Sequence, residues 1–573
     1  MQQKGLFMKR KMLTTLAVGI WVMSSSHPVC AEQIAPNPNY GTISISGYYT
    51  NYVPFDNYGF LSINVGGTLF NSDALTNFGA LNNLYGGMLN NNIGGTLFNY
   101  SDATLNNYND ATLNNSGTLN NDSTLFNDIF ATLNNYGTLN NNYLTNYGTL
   151  NNYTTLSNEG RLYNRFTGTL NNSGTLNNNS LLISDGVLNN DTTGKLSNSG
   201  TLNSEGRLYN SGMLNNYGTL ISSEILVNSG TLNNYSTLIS SAAWGSNNYG
   251  LIQNLSGATL VFDLRADQFN VGGILNNSGT LVNNGGFYNI GGTLNNSLGL
   301  FNNSGTVFNH GTINNYATMN NDGTLWNTSA SYSDGTISIQ SVSNLNNSGI
   351  LNNNSGGTFY IYSPSTLNNN GALNNSGTLL NDGMVIGGGY YTQIAGNTIN
   401  NGTMVQQAIQ ITGGQLSGTG TITGNVTIGT EATVKPGDPS GALTINGDFT
   451  SSGNLIFEIF GQDNEQYNQL FINNGNALFT GGSMVFYFIN GYQAKTGDHW
   501  DLLYATSIDG LDTLTYTLNG LDSGFGWKFD YINGAGSLMI TASPVPVPGA
   551  ALLLCSGLLG LAGLGRRKKA AVA

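Results

Sequence analysis

Charge is what this chain has least of. Of 573 residues, Lys, Arg, Asp and Glu together make up 8%, about a third of the ~25% usual in a soluble domain. There are 2 cysteines, 3 histidines and 10 prolines. Two cysteines, Cys30 and Cys555, are too few for a disulfide framework or a thiolate zinc site, and so few histidines exclude a His-rich metal centre. Scarce proline and the lack of a Gly-every-third register exclude collagen. The shortage of Glu, Lys and Arg excludes a coiled coil, and a hydrophobic content of 39% excludes a charged disordered chain. What fills the space is Asn, roughly ninety residues, together with 78 Gly. This is not a typical enzyme composition.

The few charges are unevenly placed. Eight of the 16 basic residues lie at the ends (Lys4, Lys9, Arg10, Lys11 and Arg566, Arg567, Lys568, Lys569), and all 29 acidic residues lie between Glu32 and Asp530. The body therefore carries 8 bases against 29 acids, a net of −21, which repels phosphate and argues against nucleic acid as a partner. Met1 to Lys11 is basic, Met12 to Met23 is apolar, and Val29-Cys30-Ala31 ends a polar stretch. That order predicts a secretory signal over residues 1–31, cleaved between Ala31 and Glu32.

At the other end Pro544, Pro546 and Pro548 precede an apolar run from Gly549 to Gly565 and the basic cluster Arg566, Arg567, Lys568, Lys569. The run is at the short limit for a membrane span, with the cluster on the cytoplasmic side. Residues 544–573, with Val545, Pro546, Val547 and Pro548 ahead of the apolar run, resemble the PEP-CTERM sorting domain. Val547 stands where that family has Glu. The resemblance implies export by a bacterium that makes exopolysaccharide, a transient inner-membrane anchor, and an exosortase-like enzyme as a processing partner. Loss of both ends removes both cysteines, so the body carries no thiol.

From about Gly66 to Asn401 one phrase returns, Gly-Thr-Leu-Asn-Asn followed by Ser or Tyr. Leu196, Leu202, Leu208, Leu214, Leu220, Leu226, Leu232 and Leu238 stand six apart without a miss. A period of six spirals around a helix instead of forming a stripe, whereas in a strand Leu faces inward between an outward Thr and an outward Asn. The second Asn and the variable residue are expected at a corner, and Gly, two before Leu, permits a bend or a close approach. A hexad cannot bury its own Leu, so three such faces per coil must stack. The predicted fold is all-β, a parallel β-helix or β-solenoid. At about 18 residues per coil, residues 66–401 give roughly 19 coils and ~90 Å, with Asn side chains stacking into ladders. The hexad is shared with left-handed β-helices, while the wording resembles right-handed solenoids of filamentous-haemagglutinin and autotransporter type. Residues 32–65 are expected to form an N-terminal cap.

Past Asn401 the Leu-Asn phrase gives way to β-branched and aromatic runs. Residues 402–543 resemble the C-terminal region of autotransporter passengers, which implies a folding seed and cap that protects the last sheet edge.

Parallel β-helices include polysaccharide lyases and hydrolases, whose chemistry needs clustered acids or bases. Here His310 stands alone in a corner slot. Asp322, Asp334 and Asp382 each precede Gly in a turn, and Asp463 with Glu465 form the densest acidic loop. No catalytic residue, metal ligand or cofactor is assigned. Corner residues Tyr136, Tyr147, Tyr153, Tyr217, Tyr235 and Tyr316 are candidates for stacking on sugar rings, with Tyr217 and Tyr235 eighteen apart as vertical neighbours would be. A Thr column suited to ice would hold only Thr201, Thr219 and Thr237. The expected function is a non-catalytic structural or adhesin-like protein of the cell surface or matrix, in contact with exopolysaccharide or other surface glycans. The alternatives are a glycan-processing β-helix enzyme and an amyloid-like matrix fibre.

Overall fold

In a computed structural model the protein is a parallel β-solenoid. The structure describes residues 32–241, 245–264, 266–327, 330–333, 336–339, 344–521, 524–532, 534–542, 553–554 and 556–559. Three four-residue strands make one coil, and each strand pairs in parallel with its counterpart one coil on. Lys195–Asn198, Thr201–Ser204 and Arg207–Asn210 thus lie under Met213–Asn216, Thr219–Ser222 and Ile225–Asn228. We call the faces carrying these strands the first, second and third.

The eight leucines at hexad spacing therefore fall into three columns, Leu196-Leu214-Leu232, Leu202-Leu220-Leu238 and Leu208-Leu226. All are at most 4% exposed, so they are the core. Between Thr68 and Asn400 the third face holds seventeen strands among the described residues, fewer than the nineteen coils expected. The reason lies at the corners: the step between coils runs from 17 residues (Thr132 to Thr149) to 24 (Met88 to Thr112). One coil takes 34 residues (Thr324 to Thr358) because an antiparallel hairpin, Ala330–Ser333 with Thr336–Ile339, leaves the rod there.

One placement corrects the sequence reading. The second Asn of each phrase does not sit at the corner; it faces inward with Leu, and most such residues are 0–2% exposed. The alternating burial of Thr-Leu-Asn-Asn explains this, since the second Asn lies two residues beyond Leu on the same side. The corner is made by the residues that follow.

Residues 32–65, expected to form a cap, are built as the first coils: Thr42–Ile45 lies under Phe60–Ile63, and Asn39 starts an internal ladder with Asn57. Nor does the rod stop at Asn401. The strands Thr403–Gly418 and Thr421–Pro436 continue the parallel stack around all three faces. What changes there is the interior: inward positions beyond it are Ile411, Val426, Ile428, Val434, Phe449 and Phe457, all at most 1% exposed. The second face reaches 23 strands from Thr42 to Asp509 among the described residues, a rod of roughly 105 Å at ~4.8 Å per coil.

The expected cap is present beyond Asn519. Ala535–Ala542 runs antiparallel between His499–Tyr504 and Gly526–Ile532, and Trp527 and Phe529 close on Phe486 at 6.0 and 5.4 Å.

Corner glycines are required by close approach. A Cβ on Gly218 would stand 2.1 Å from the carbonyl oxygen of Gly200 in the coil below. With Gly at this slot the amide also bonds the coil below, as Gly218 does to Asn198 at 3.0 Å, and the next strand opens with a 2.9 Å bond from Thr219 to Gly200. Where Thr154, Glu224 or Ser236 takes the slot, the corresponding opening bonds of Thr155, Ile225 and Thr237 stretch to 3.3, 3.4 and 3.2 Å. Gly218→Ala is accordingly expected to cost about 1–2 kcal/mol, the value of one lost and one weakened hydrogen bond, measurable as a lowered denaturation midpoint with unchanged slope.

Candidate functional site: ladders and aromatic columns

The inward asparagines form side-chain ladders along the rod. On the first face seventeen Asn residues, from Asn39 to Asn369, are joined without a break, each Nδ2 donating to the Oδ1 of the next coil. The second N–H of each amide goes to a backbone carbonyl of the next coil: Asn190 bonds Asn210 at 2.7 Å and the Met213 carbonyl at 3.0 Å. These carbonyls lie on the C-terminal side, which fixes the direction of every inner amide.

Three buried acceptors confirm the polarity. Asn83, Asn283 and Asn381 have an Oδ1 with no hydrogen-bond partner. Each stands directly above an apolar residue, Ile63, Phe262 and Ile361 respectively. A ladder that donates upward leaves its first acceptor empty, and these are first rungs.

The ladders end together. Asn369 hands its amide to Gln406 at 2.6 Å, and Asn400 is the last rung above Asn381. The second-face ladder closes in a buried cluster in which Thr398 donates to Gln393 at 2.5 Å and the Tyr391 hydroxyl meets Thr398. Burial pushes the Tyr391 phenol far above its ordinary range, with the Thr398 bond pulling the other way.

Outward Asn residues stack as well, in the opposite sense. Asn114 donates to Asn90, Asn134 to Asn114, Asn151 to Asn134, Asn171 to Asn151 and Asn189 to Asn171, at 2.7–2.9 Å. Beside this third-face column stand Thr112, Thr132, Thr149 and Thr169 in register. The outside is therefore a regular array of amides and hydroxyls. The Thr column on the second face runs Thr201, Thr219, Thr237, Thr259, Thr280, two rungs longer than expected, with Ile221, Ile239, Val261 and Val282 alongside.

Aromatic rings form further columns. Tyr217 and Tyr235 are stacked at 4.5 Å, as their spacing predicts, and Tyr136 and Tyr153 at 4.7 Å. Tyr147 meets Phe126 at 5.7 Å in a tilted contact, and Tyr316 is 57% exposed. Sequence reasoning missed the two longest columns. At the corner that follows the first face Tyr40, Tyr58, Phe78 and Tyr100 stack at 5.0, 4.6 and 4.8 Å. On the third face Phe269, Tyr288, Phe308, Trp326 and Tyr360 stack at 4.8, 4.9, 5.8 and 4.4 Å, and Leu380 and Ile399 extend the line. Within such a column each ring is covered above and below by its neighbours, so outward access is to ring edges and hydroxyls. A free face remains only at a column's end.

The other candidate residues stay apart. His310 lies beside Phe308 at 6.4 Å. Asp322 accepts from Asn354 at 3.0 Å and Asp382 from Asn401 at 3.1 Å. Among the described residues no group of three His, Cys, Asp or Glu could hold a metal. A shallow pocket of about 260 Å³ on the cap is lined by His499, Asp501 and Ser537 among others, but Ser537 donates directly to Asp501 at 2.5 Å, which leaves no histidine between them to act as a base.

Asp334, Ala31, Val545, Pro546, Val547, Pro548, Arg566, Arg567, Lys568 and Lys569 lie outside the described residues. Glu32 opens the first described strand, Glu32–Gln33, and is exposed. Leu553–Leu554 and Ser556–Leu559 are helical. Among the described residues no helix is long and apolar enough to cross a membrane.

No protein-family model matches the chain, and no curated protein matches it. The fold and ladders define its class, a parallel β-solenoid of asparagine-rich repeats.

Proposed function

We propose that this is an exported, non-catalytic structural or adhesin-like protein of the cell surface or extracellular matrix, and that its long outer faces contact exopolysaccharide or other surface glycans. The observation that carries the reading is the outer array: uncharged amides and hydroxyls repeat at coil spacing along the third face, and farther along the same face five rings stack in line with them. Such a surface offers many weak, identical hydrogen-bonding places to a repeating polymer, so that avidity replaces a single deep pocket. The scattered acids and the body's net −21 keep rods apart in solution. The basic-apolar-small start and the Pro, apolar and basic tail support passage through the inner membrane, a transient anchor, and an exosortase-like processing partner.

Incubating the purified protein with the exopolysaccharide of the cell that makes it tests this. Saturable binding without new reducing or unsaturated ends is expected, weakened about tenfold, or ~1.4 kcal/mol, by Trp326→Ala. New chain ends would overturn the reading in favour of a glycan-processing enzyme, and thioflavin-positive fibres without glycan binding would favour an amyloid-like matrix protein.

A further inference from the structure

The two ends of the rod are finished differently. At the C-terminal end an antiparallel strand and the rings of Trp527 and Phe529 cover the last coils. At the N-terminal end the third-face strand Tyr48–Asn51 is covered by Glu32–Gln33. The first-face strand Phe55–Asn57 is met at Asn39 by a stretch holding Pro36 and Pro38, and proline blunts an edge because it has no N–H to offer. The second face has neither protection: Thr42–Ile45 pairs with Phe60–Ile63 above and with no described strand below.

That edge is ready to pair. The carbonyls of Gly41 and Ile45 point upward, accepting from Phe60 and Asn64 at 2.7 Å. By alternation the amides and carbonyls of Thr42 and Ser44 point down, away from the rod. Both side chains are exposed and Ile43, first in its inward column, is only half-buried. Residues 33–55 contain no charged side chain, although charge is the usual guard of a free edge. Tyr40, Tyr48, Tyr52 and Phe60, 56–74% exposed, surround it.

We propose that a second copy of this chain completes this edge, so that two rods join N-terminal end to N-terminal end through antiparallel pairing of Thr42–Ile45 with its counterpart. A twofold axis makes identical edge strands antiparallel by symmetry and closes the assembly at two. The remote ends are capped, so the contact does not propagate into a filament. End-on contact also keeps the two bodies, each of net −21, farther apart than side-by-side packing would.

The test is the mass of the purified full chain by light scattering and its length by negative-stain microscopy. A dimer is expected as a rod of about 210 Å, twice the single length at ~4.8 Å per coil. Ser44→Lys places a charge at the edge and Ser44→Pro removes a downward N–H; each is expected to yield single-length monomers with unchanged circular dichroism, while Thr517→Lys at the other end leaves the dimer intact. A monomeric wild-type chain, a dimer of single-rod length, or a dimer indifferent to both Ser44 substitutions would overturn the proposal. So would slow hydrogen exchange of the Thr42 and Ser44 amides in a monomer, since it would place the chain's own N-terminal residues on the edge.

Discussion

Asn210→Asp is expected to destabilise the rod by about 3–5 kcal/mol at pH 7, the cost of an unpaired buried charge, and by far less at pH 3. Asn210 is 1% exposed. It accepts from Asn190 at 2.7 Å and donates to Asn228 Oδ1 at 2.7 Å and to the Thr231 carbonyl at 3.0 Å. A carboxylate can still accept from below, but above it would meet two acceptors with nothing to donate, in a place without water. Burial and the facing oxygens both raise the pKa of the new acid in the folded state above its unfolded value of ~3.9. The folded protein then binds the proton more tightly than the unfolded chain. The penalty is therefore small below pH ~4, grows as pH rises through the unfolded value, and levels off above the folded one. Protonated, the residue again donates to Asn228. Chemical denaturation of variant and wild type at pH 3 and pH 7 measures this; a difference that is the same at both would mean that the ladder amide is not the acting group. Asn210→Leu carries no charge and should cost about 1–3 kcal/mol for the orphaned groups, independent of pH. The protein itself contains that outcome at Ile361, which stands between Asn327 and Asn381 in the third-face column and leaves the Oδ1 of Asn381 without a donor.

Much of this was legible in a hexad. The six-residue spacing of Leu196 to Leu238 excluded a helix and required strands, and the need to bury Leu required stacking. The strand parity that turned Leu inward also turned the second Asn inward, two residues on; assigning it to the corner by its turn preference set a local propensity against a pattern that tertiary burial decides. What the sequence hid lies at long range. Phe269, Tyr288, Phe308, Trp326 and Tyr360 are 19, 20, 18 and 34 residues apart, so their column becomes visible only when each corner's length is known. The change of texture after Asn401 was real but marked no break in the stack. It marks where buried amides hand over to hydrocarbon at Gln393, Thr398 and Gln406, and the parallel register runs on through it.

The polarity of the ladders bears on how such a rod holds its register. Leu in register with Leu would look the same after a slip of one whole coil or one whole face, so the leucine columns alone define the pairing weakly. An Asn that must find an acceptor above it and a strand-opening carbonyl beside that acceptor does not tolerate a slip of one face here, because the inner rungs of the second face are Ser at 184, 204, 222 and 240 while those of the first and third are Asn. Specificity of this kind comes from the cost of leaving buried amides unpaired.

Leu214→Ala is expected to cost about 3–5 kcal/mol, the upper part of the range for a buried Leu truncation. Leu214 is fully buried, with Leu196 below it and Leu232 above. The size of the penalty depends on whether the surroundings can collapse into the space. Here they cannot: strand separation is set by backbone hydrogen bonds and reinforced on the same strand by the Asn198-Asn216-Asn234 ladder, at 2.8 Å per rung. Leu214→Met should be mild, below ~1.5 kcal/mol, since Met319 and Met404 occupy inward positions of the same kind at 0% exposure. Because each coil touches only its neighbours, the damage should stay local. Hydrogen exchange is expected to accelerate in the coils from about Lys195 to Asn234 while the strands beyond Asn401 keep their protection. Uniform acceleration along the whole rod would instead show that the solenoid opens as one cooperative unit, and wild-type protection throughout would show that the Leu columns contribute little to holding the coils together.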